Sequence, residues 1–211
     1  MQAMPLRNRV WPDGRIVAEA ARGTVMGNRG GRIHDVETKE IIREQASRRW
    51  ICCVLSFKGR RRQVMGQGYT ELFFVDEVTA LAAGHRPCFE CRRDAARAYA
   101  GAIAEALDFK CSPGADEMDR RLAPERGRGW SGERMTDLSG CPDGTVFSQD
   151  GEFFALYNKG LLRWTPAGYV AAGIMPAGGP FHVLTPSLSR AALGAGYQPI
   201  WHPSARDASA L

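Results

Sequence analysis

The 211-residue sequence lacks the long apolar run that a membrane-spanning helix requires. No segment approaches the ~18–20 consecutive apolar residues that cross a bilayer. The first residues, MQAMPLRNRVWPDG, contain no apolar region of the kind that secretory signals carry. The hydrolase motifs GxSxG and HExxH are also missing. We therefore expect a cytoplasmic protein without a membrane partner, in which the cysteines stay reduced.

Positive charge is present, and it is unevenly distributed. Residues 1–100 contain 18 Lys and Arg against 11 Asp and Glu, whereas residues 101–211 contain 10 against 12. The whole chain has a net charge of +5. A concentration of basic residues in one part of a chain is typical of nucleic-acid-binding proteins.

Hydrophobic patterning predicts an α+β fold. We expect a small antiparallel sheet with helices at residues 1–110, a loop-rich connection at residues 111–143, and a β-rich part at residues 144–211 that packs on the first part. The β-rich part should contain a three-stranded meander followed by a strand and a helix. In the first part, the pattern predicts a polar helix at 36–48, a hairpin with strands at 50–57 and 63–65, a third strand at 69–75, and helices at 76–84 and 90–107.

The strongest motif is a pair of cysteines spaced by three residues, Cys88 and Cys91. Two thiolates at this spacing can hold one zinc ion from a turn. A redox pair and two unreactive cysteines are the alternatives. A redox pair usually follows a strand directly, whereas here a predicted helix and its terminal Gly84 precede the motif. The pattern therefore favours a zinc site, completed by ligands from elsewhere in the chain.

The residues Ala80-Leu81-Ala82-Ala83-Gly84-His85-Arg86-Pro87-Cys88-Phe89-Glu90-Cys91 carry a resemblance to a known family. They resemble the second half of the zinc-binding domain of the Ada alkylation-response family, over about residues 50–95. The resemblance implies a structural zinc beside a DNA-contacting surface and a role in DNA modification or damage response. In that family a zinc-bound cysteine accepts a methyl group from DNA.

The resemblance implies that Cys88 and Cys91 are two of the zinc ligands. The first cysteine pair of the family is spaced by three residues, but Cys52 and Cys53 are adjacent in this sequence. Adjacent strand residues point to opposite faces, so we expect one ion to take only one of them, and Cys53 is our candidate. His34 is a candidate fourth ligand, because related modules in nucleases use an upstream histidine. This departure weakens the case for methyl-acceptor chemistry.

Basic and aromatic residues surround the predicted zinc site. Arginine forks suit phosphates, and aromatic faces suit unstacked bases. An ordinary solvated turn is the alternative interpretation. The residues that we predict to contact nucleic acid are Arg49, Lys58, Arg60, Arg61, Arg62, Arg86, Arg92 and Arg93.

These features predict a zinc-stabilised protein that binds nucleic acid, with DNA favoured over RNA. One alternative is a metal-dependent nuclease or other nucleic-acid-modifying enzyme, with His34, Asp35 and Cys53 as candidate catalytic residues. For His34 and Asp35, a plain turn is the competing interpretation. Another alternative is a protein-interaction module in which zinc only supplies folding energy.

Overall fold

The fold contains two six-stranded sheets with helices between and around them. The computed structural model describes residues 4–60, 63–172 and 178–209. The strands of the first sheet are β1 (Arg7–Val10), β2 (Ile16–Ala18), β3 (Val25–Arg29), β4 (Trp50–Cys53), β5 (Leu72–Phe74) and β6 (Arg86–Pro87). Those of the second sheet are β7 (Glu133–Met135), β8 (Val146–Gln149), β9 (Glu152–Tyr157), β10 (Gly160–Thr165), β11 (Gly168–Ala171) and β12 (Phe181–Val183). The helices are α1 (Glu77–Ala82), α2 (Arg93–Ala106), α3 (Ala115–Leu122), α4 (Ser187–Gly194) and α5 (Ser204–Ala208), with a 3-10 turn at Ala123–Glu125.

The predicted α+β class is confirmed, but the first sheet is larger than expected and is mixed. Its order is β2-β1-β5-β3-β4-β6, and the β1–β5 and β4–β6 pairs are parallel. The second sheet is entirely antiparallel, in the order β11-β10-β9-β8-β12-β7. The meander therefore has four strands, β8 to β11, instead of the predicted three. None of the helices within the described ranges is long and apolar enough to cross a membrane.

Two local predictions in the first sheet were wrong. The predicted hairpin of 50–57 and 63–65 is absent, because β4 already has β3 on one side and β6 on the other. The predicted helix at 36–48 is a series of turns. Lys39 has a φ of +62°, which stops a helix after its first turn, and the backbone N–H of Ile42 donates to the Ile33 carbonyl instead.

Helix α1 lies between the two sheets and belongs to both halves of the core. Its residues Val78 and Ala82 share one apolar cluster with Val146 and Trp164 of the second sheet. Leu81, on another side of the same helix, belongs to a cluster that contains residues of α2 and α4. Because α1 is buried on several sides, its apolar residues are not confined to one face, and its polar residues Glu77 and Thr79 are buried as well.

The first turn of α1 carries two buried carboxylates. Asp76 is the N-cap and accepts hydrogen bonds from the backbone N–H and hydroxyl of Thr79, at 2.9 and 2.8 Å. The same carboxylate accepts the Tyr169 hydroxyl at 3.2 Å and the His202 backbone N–H at 3.0 Å. Burial raises the pKa of Asp76, which these hydrogen bonds oppose. The cap thus fastens α1 to the C-terminal part of the chain.

Glu77 makes the second set of bonds. Its carboxylate receives two parallel hydrogen bonds from Arg92, at 2.6 and 2.7 Å, in an ion pair that is almost completely buried. It also accepts the Tyr197 hydroxyl at 2.6 Å and the Ile200 backbone N–H at 2.8 Å. Because Arg92 follows Cys91 directly, Glu77 ties the cysteine loop to α1 and to the C-terminal segment.

Gly84 ends α1 in a way that other residues cannot. Its φ is +78°, which side-chain-bearing residues rarely adopt. A Cβ atom at this position would also lie 2.5 Å from the Cβ of Arg126, whose guanidinium donates to the Gly84 carbonyl at 2.8 Å. The next residue, His85, is fully buried, with ring centroids 4.9 Å from Trp50 and 4.7 Å from Phe74.

We expect Glu77→Gln to destabilise the fold by about 3–5 kcal/mol, because it leaves the buried Arg92 guanidinium without a counter-charge. The measurement is the free energy of unfolding in denaturant. The matched control is Glu152→Gln, which removes one partner of the exposed Arg163–Glu152 pair and should change stability very little. Equal losses in the two variants would contradict the role that we give to Glu77.

His85 should make stability depend on pH. Burial, with added repulsion from Arg29 and Arg126, lowers the pKa of His85 well below its usual value. The unfolded chain takes up a proton below pH ~6.5 that the folded chain rejects, so stability should fall as the pH decreases below that value. His85→Phe should remove this contribution, whereas Phe74→Leu should weaken packing equally at all pH values. Denaturant unfolding between pH 5 and 8 measures the slopes, and an unchanged slope in His85→Phe would refute this assignment.

Candidate metal centre

Three cysteines are brought together where two parallel strands end. Cys53 is the last residue of β4, and Cys88 follows β6 directly. The pairing of Cys52 with Pro87, and a hydrogen bond from the Cys88 backbone N–H to the Cys52 carbonyl at 2.9 Å, align the two strand ends. Cys91 then returns in the turn before α2. The sulfur atoms of Cys53, Cys88 and Cys91 all lie within 4.8 Å of one another.

The spacing fits a single zinc ion. Four ligands at the usual Zn–S length of about 2.3 Å in a tetrahedron have sulfur atoms about 3.8 Å apart. The backbone N–H of Glu90 donates to the Cys88 sulfur at 3.4 Å, as expected for a knuckle that stabilises a thiolate. Among the described residues, Cys53, Cys88 and Cys91 form the only cluster of at least three Cys, His, Asp or Glu side chains at this spacing. The three cysteines can therefore hold a metal ion such as zinc.

The three sulfur atoms lie close enough to affect one another's ionisation. Hydrogen bonds from the Cys53 and Cys91 thiols lower the pKa of Cys88. The same contacts, together with burial, raise the pKa of Cys53. Three negative sulfur atoms at this spacing would repel one another. A divalent metal removes this conflict by neutralising the charge, since coordinating thiols are deprotonated.

The structure separates Cys52 from Cys53 as their adjacency predicts. Cys52 is completely buried, and its sulfur accepts a hydrogen bond from Arg92 at 3.4 Å. Burial raises the pKa of its thiol well above the usual value. Cys52 belongs to the apolar cluster of the first sheet instead of the metal cluster. Its contact with the cysteine loop is the hydrogen bond from Arg92, the residue that follows Cys91.

His34 lies outside the cysteine cluster. Its two ring nitrogens are 2.6 Å from the Thr70 hydroxyl and 3.1 Å from the Gly66 carbonyl. These contacts occupy both ring nitrogens, so His34 has a structural role. The prediction that His34 is a zinc ligand was therefore wrong. The Asp35 carboxylate accepts hydrogen bonds from the backbone of the turn that follows it. His34 and Asp35 therefore fit the alternative interpretation of this segment, a plain turn.

Two of the predicted nucleic-acid contacts are buried. Arg86 makes a two-pronged ion pair with Asp119, at 2.8 and 3.0 Å, and Arg92 makes the pair with Glu77. Neither guanidinium reaches solvent, which corrects their assignment to a phosphate-binding surface. The sequence could not distinguish them from surface arginines, because their partners are distant in the chain.

The other predicted contacts that the structure describes are exposed: Arg49, Lys58, Arg60 and Arg93. Lys58 and Arg60 both lie over the Phe57 ring, at 5.2 and 5.4 Å from its centroid. Arg60 also pairs with Glu90 at 2.9 Å, and Arg49 lies 3.5 Å from Asp116. Arg61 and Arg62 lie outside the described residues.

A cavity of about 380 Å³ opens beside the cysteines, and no motif in the sequence pointed to it. The three cysteines form part of its wall, and Phe57 and Arg60 lie at the same cavity. Much of the remaining wall is apolar or aromatic, from Met26, Ile51, Leu55, Val64, Tyr69 and Phe73. A ligand in this space would touch both the cysteine cluster and the cation–aromatic group at Phe57.

No family model matches this sequence, and no curated protein or solved structure matches it either.

We expect the purified chain to contain about one zinc ion per molecule, as measured by elemental mass spectrometry, because three preformed thiol ligands bind zinc tightly. Cys53→Ser, Cys88→Ser and Cys91→Ser should each lose most of the metal and lower the melting temperature. Cys111→Ser, which changes an exposed cysteine outside the cluster, is the matched control and should keep both. Full zinc content in all three cluster variants would contradict the site.

Proposed function

We propose that this chain is a zinc-stabilised nucleic-acid-binding protein, with DNA as the favoured partner. The observation that carries the proposal is the convergence of Cys53, Cys88 and Cys91 at one point. The motif that supplies two of these cysteines is also the one that resembles the Ada zinc-binding domain. Zinc at this point would hold β4, β6 and the start of α2 together and so fix the surface around them.

The surface beside the cysteines supports nucleic acid as the partner. Lys58 and Arg60 offer positive charge, and the Phe57 ring beneath them offers a stacking face. Single-stranded nucleic acids are bound by this combination of cations and aromatic rings. Arg93, at the first turn of α2, adds a further exposed cation next to the knuckle.

A second candidate function is a zinc enzyme that acts on nucleic acid. Catalytic zinc sites have three protein ligands and keep a fourth position open, whereas structural sites have four. In the described part of the chain, the cluster has three members and adjoins a cavity of about 380 Å³. Substitution of cobalt for zinc distinguishes the two candidates. An added small thiol should change the visible spectrum of the cobalt ion if its fourth coordination position is open, and should leave the spectrum unchanged if four protein ligands fill the site.

The nucleic-acid proposal predicts a salt-dependent affinity. For wild-type protein and a labelled single-stranded or duplex oligonucleotide, log K should fall linearly with log salt concentration. The triple variant Lys58→Gln, Arg60→Gln, Arg93→Gln should reduce the slope by about 2–3, since each lost phosphate contact removes about 0.7–0.9. Fluorescence anisotropy at several salt concentrations measures both quantities.

The matched control for this experiment removes three exposed arginines elsewhere, in Arg134→Gln, Arg163→Gln, Arg206→Gln. It causes the same change of net charge and should leave most of the affinity and slope intact. Equal effects of the two triple variants would show that only overall charge matters. Absence of binding by the wild-type protein at low salt would refute the proposal.

A further inference from the structure

A second cavity, of about 450 Å³, opens beside β1 and β3 and is lined by arginines. It is separate from the cysteine cavity. Asn28 lines the cysteine cavity and Arg29 lines this one. Since neighbouring residues of a strand point to opposite faces, the two cavities lie on opposite faces of the first sheet. The arginines around the second cavity are Arg7, Arg15, Arg29, Arg43 and Arg128.

The acidic residues of this cavity, Asp13 and Glu44, offset the charge of the five arginines only in part. Asp13 pairs with Arg15, at 2.5 Å. The Glu44 carboxylate accepts the backbone N–H of Arg128, at 2.5 Å, and forms no ion pair with a described side chain. Within the described ranges, no carboxylate forms an ion pair with the remaining four arginines: Arg7, Arg29, Arg43 and Arg128. Three of these four side chains are exposed and hydrated, but their mutual repulsion favours the binding of an anion between them.

Two of these arginines are held with their charged ends available. The Nε of Arg7 donates to the Ile16 carbonyl at 2.9 Å, and the Nε of Arg43 donates to the Arg32 carbonyl at 2.9 Å. The terminal nitrogens of Arg7 and Arg43 make no hydrogen bond with any described residue. Backbone carbonyls therefore orient both guanidinium groups. The forked ends, which can bind an oxyanion through two parallel hydrogen bonds, face no other described partner.

Arg29 supplies the buried part of the site. Only 1% of this residue is exposed, yet its Nε has no hydrogen-bond partner in the part of the chain that the structure describes. One terminal nitrogen donates to the Gly14 carbonyl at 2.7 Å, and the guanidinium lies 3.8 Å from the centroid of the Trp50 ring. Burial lowers the pKa of Arg29 to about 9, and the nearby Glu44 carboxylate opposes this shift only in part. An oxyanion in the cavity would add to that partial counter-charge.

From this arrangement we infer that the arginine cavity binds a phosphate ester, with Arg7, Arg29, Arg43 and Arg128 as its cationic wall. A phosphate monoester carries close to two negative charges at neutral pH and several acceptor oxygens, which match several guanidinium forks. The cavity volume lies in the range of about 300–1,000 Å³ that is usual for small-molecule sites. A single phosphate group is smaller than that, so the ligand has an organic part, as a mononucleotide does.

The test is calorimetric titration of the wild-type protein with adenosine 5′-monophosphate and, separately, with adenosine, at constant ionic strength. The monophosphate should bind at one site per chain, and adenosine should not bind. The double variant Arg7→Gln, Arg43→Gln changes exposed side chains and should weaken binding by about 10-fold or more, because it removes two charged hydrogen-bonding partners. Arg128→Gln is a second, independent variant with the same expected direction.

The matched control is Arg163→Gln, Arg206→Gln, which removes the same charge outside the cavity and should leave the affinity unchanged. Oligonucleotides with and without a 5′-phosphate identify the source of the ester. Preference for the phosphorylated strand supports the end of a nucleic acid, and binding of the mononucleotide alone supports a free small phosphate ester.

Failure of the wild-type protein to bind either the monophosphate or a 5′-phosphorylated strand at millimolar concentration would overturn the inference. An equal loss in the control variant would also overturn it. Failure of this inference is distinguishable from failure of the proposed function. The proposed function is tested separately, by zinc content and by variants of Lys58, Arg60 and Arg93, which lie outside the arginine cavity.

Discussion

The fold depends on the two carboxylates at the start of α1. Burial of two adjacent acids is costly, and here nearly every lone pair is matched by a donor from a different part of the chain. Asp76 is bonded to Thr79, Tyr169 and His202, and Glu77 to Arg92 and the segment at 197–200. One dipeptide therefore fixes the position of α1, the cysteine loop and the C-terminal part. Without it, α1 would be held against the second sheet mainly by apolar contacts, which are less selective about orientation, together with the hydrogen bond from Trp164 Nε1 to the Thr79 hydroxyl at 3.0 Å.

Some local features were predicted correctly from local signals in the sequence. Acidic residues followed by an apolar stretch and Gly84 predicted a helix at 76–84, and α1 covers Glu77–Ala82. The alternation of a strand predicted that only one of Cys52 and Cys53 would join Cys88 and Cys91, and the structure brings the Cys53 sulfur to them. These features depend on residues within one strand, one helix or one turn, where backbone geometry leaves few alternatives.

Long-range features could not be predicted in the same way. Arg86 and Arg92 have the composition of surface residues, and only the folded chain places Asp119 and Glu77 against them. The parallel pairing of β4 with β6 was also missed, because the basic turn after residue 57 favoured a hairpin. The arginine cavity combines residues from 7 to 128, so no window of the sequence reveals that their charges converge.

The parallel pairing of β4 with β6 has a consequence for metal uptake. In an unfolded chain, Cys88 and Cys91 are the two cluster ligands that lie near each other, and Cys53 is 35 residues away. The third sulfur arrives when the strands pair, so a metal ion binds the folded sheet far better than the unfolded chain. By mass action such a ligand stabilises the folded state in proportion to the logarithm of its free concentration. The edge of this sheet would then respond to the supply of metal in its surroundings, becoming the first part to open when the ion is scarce.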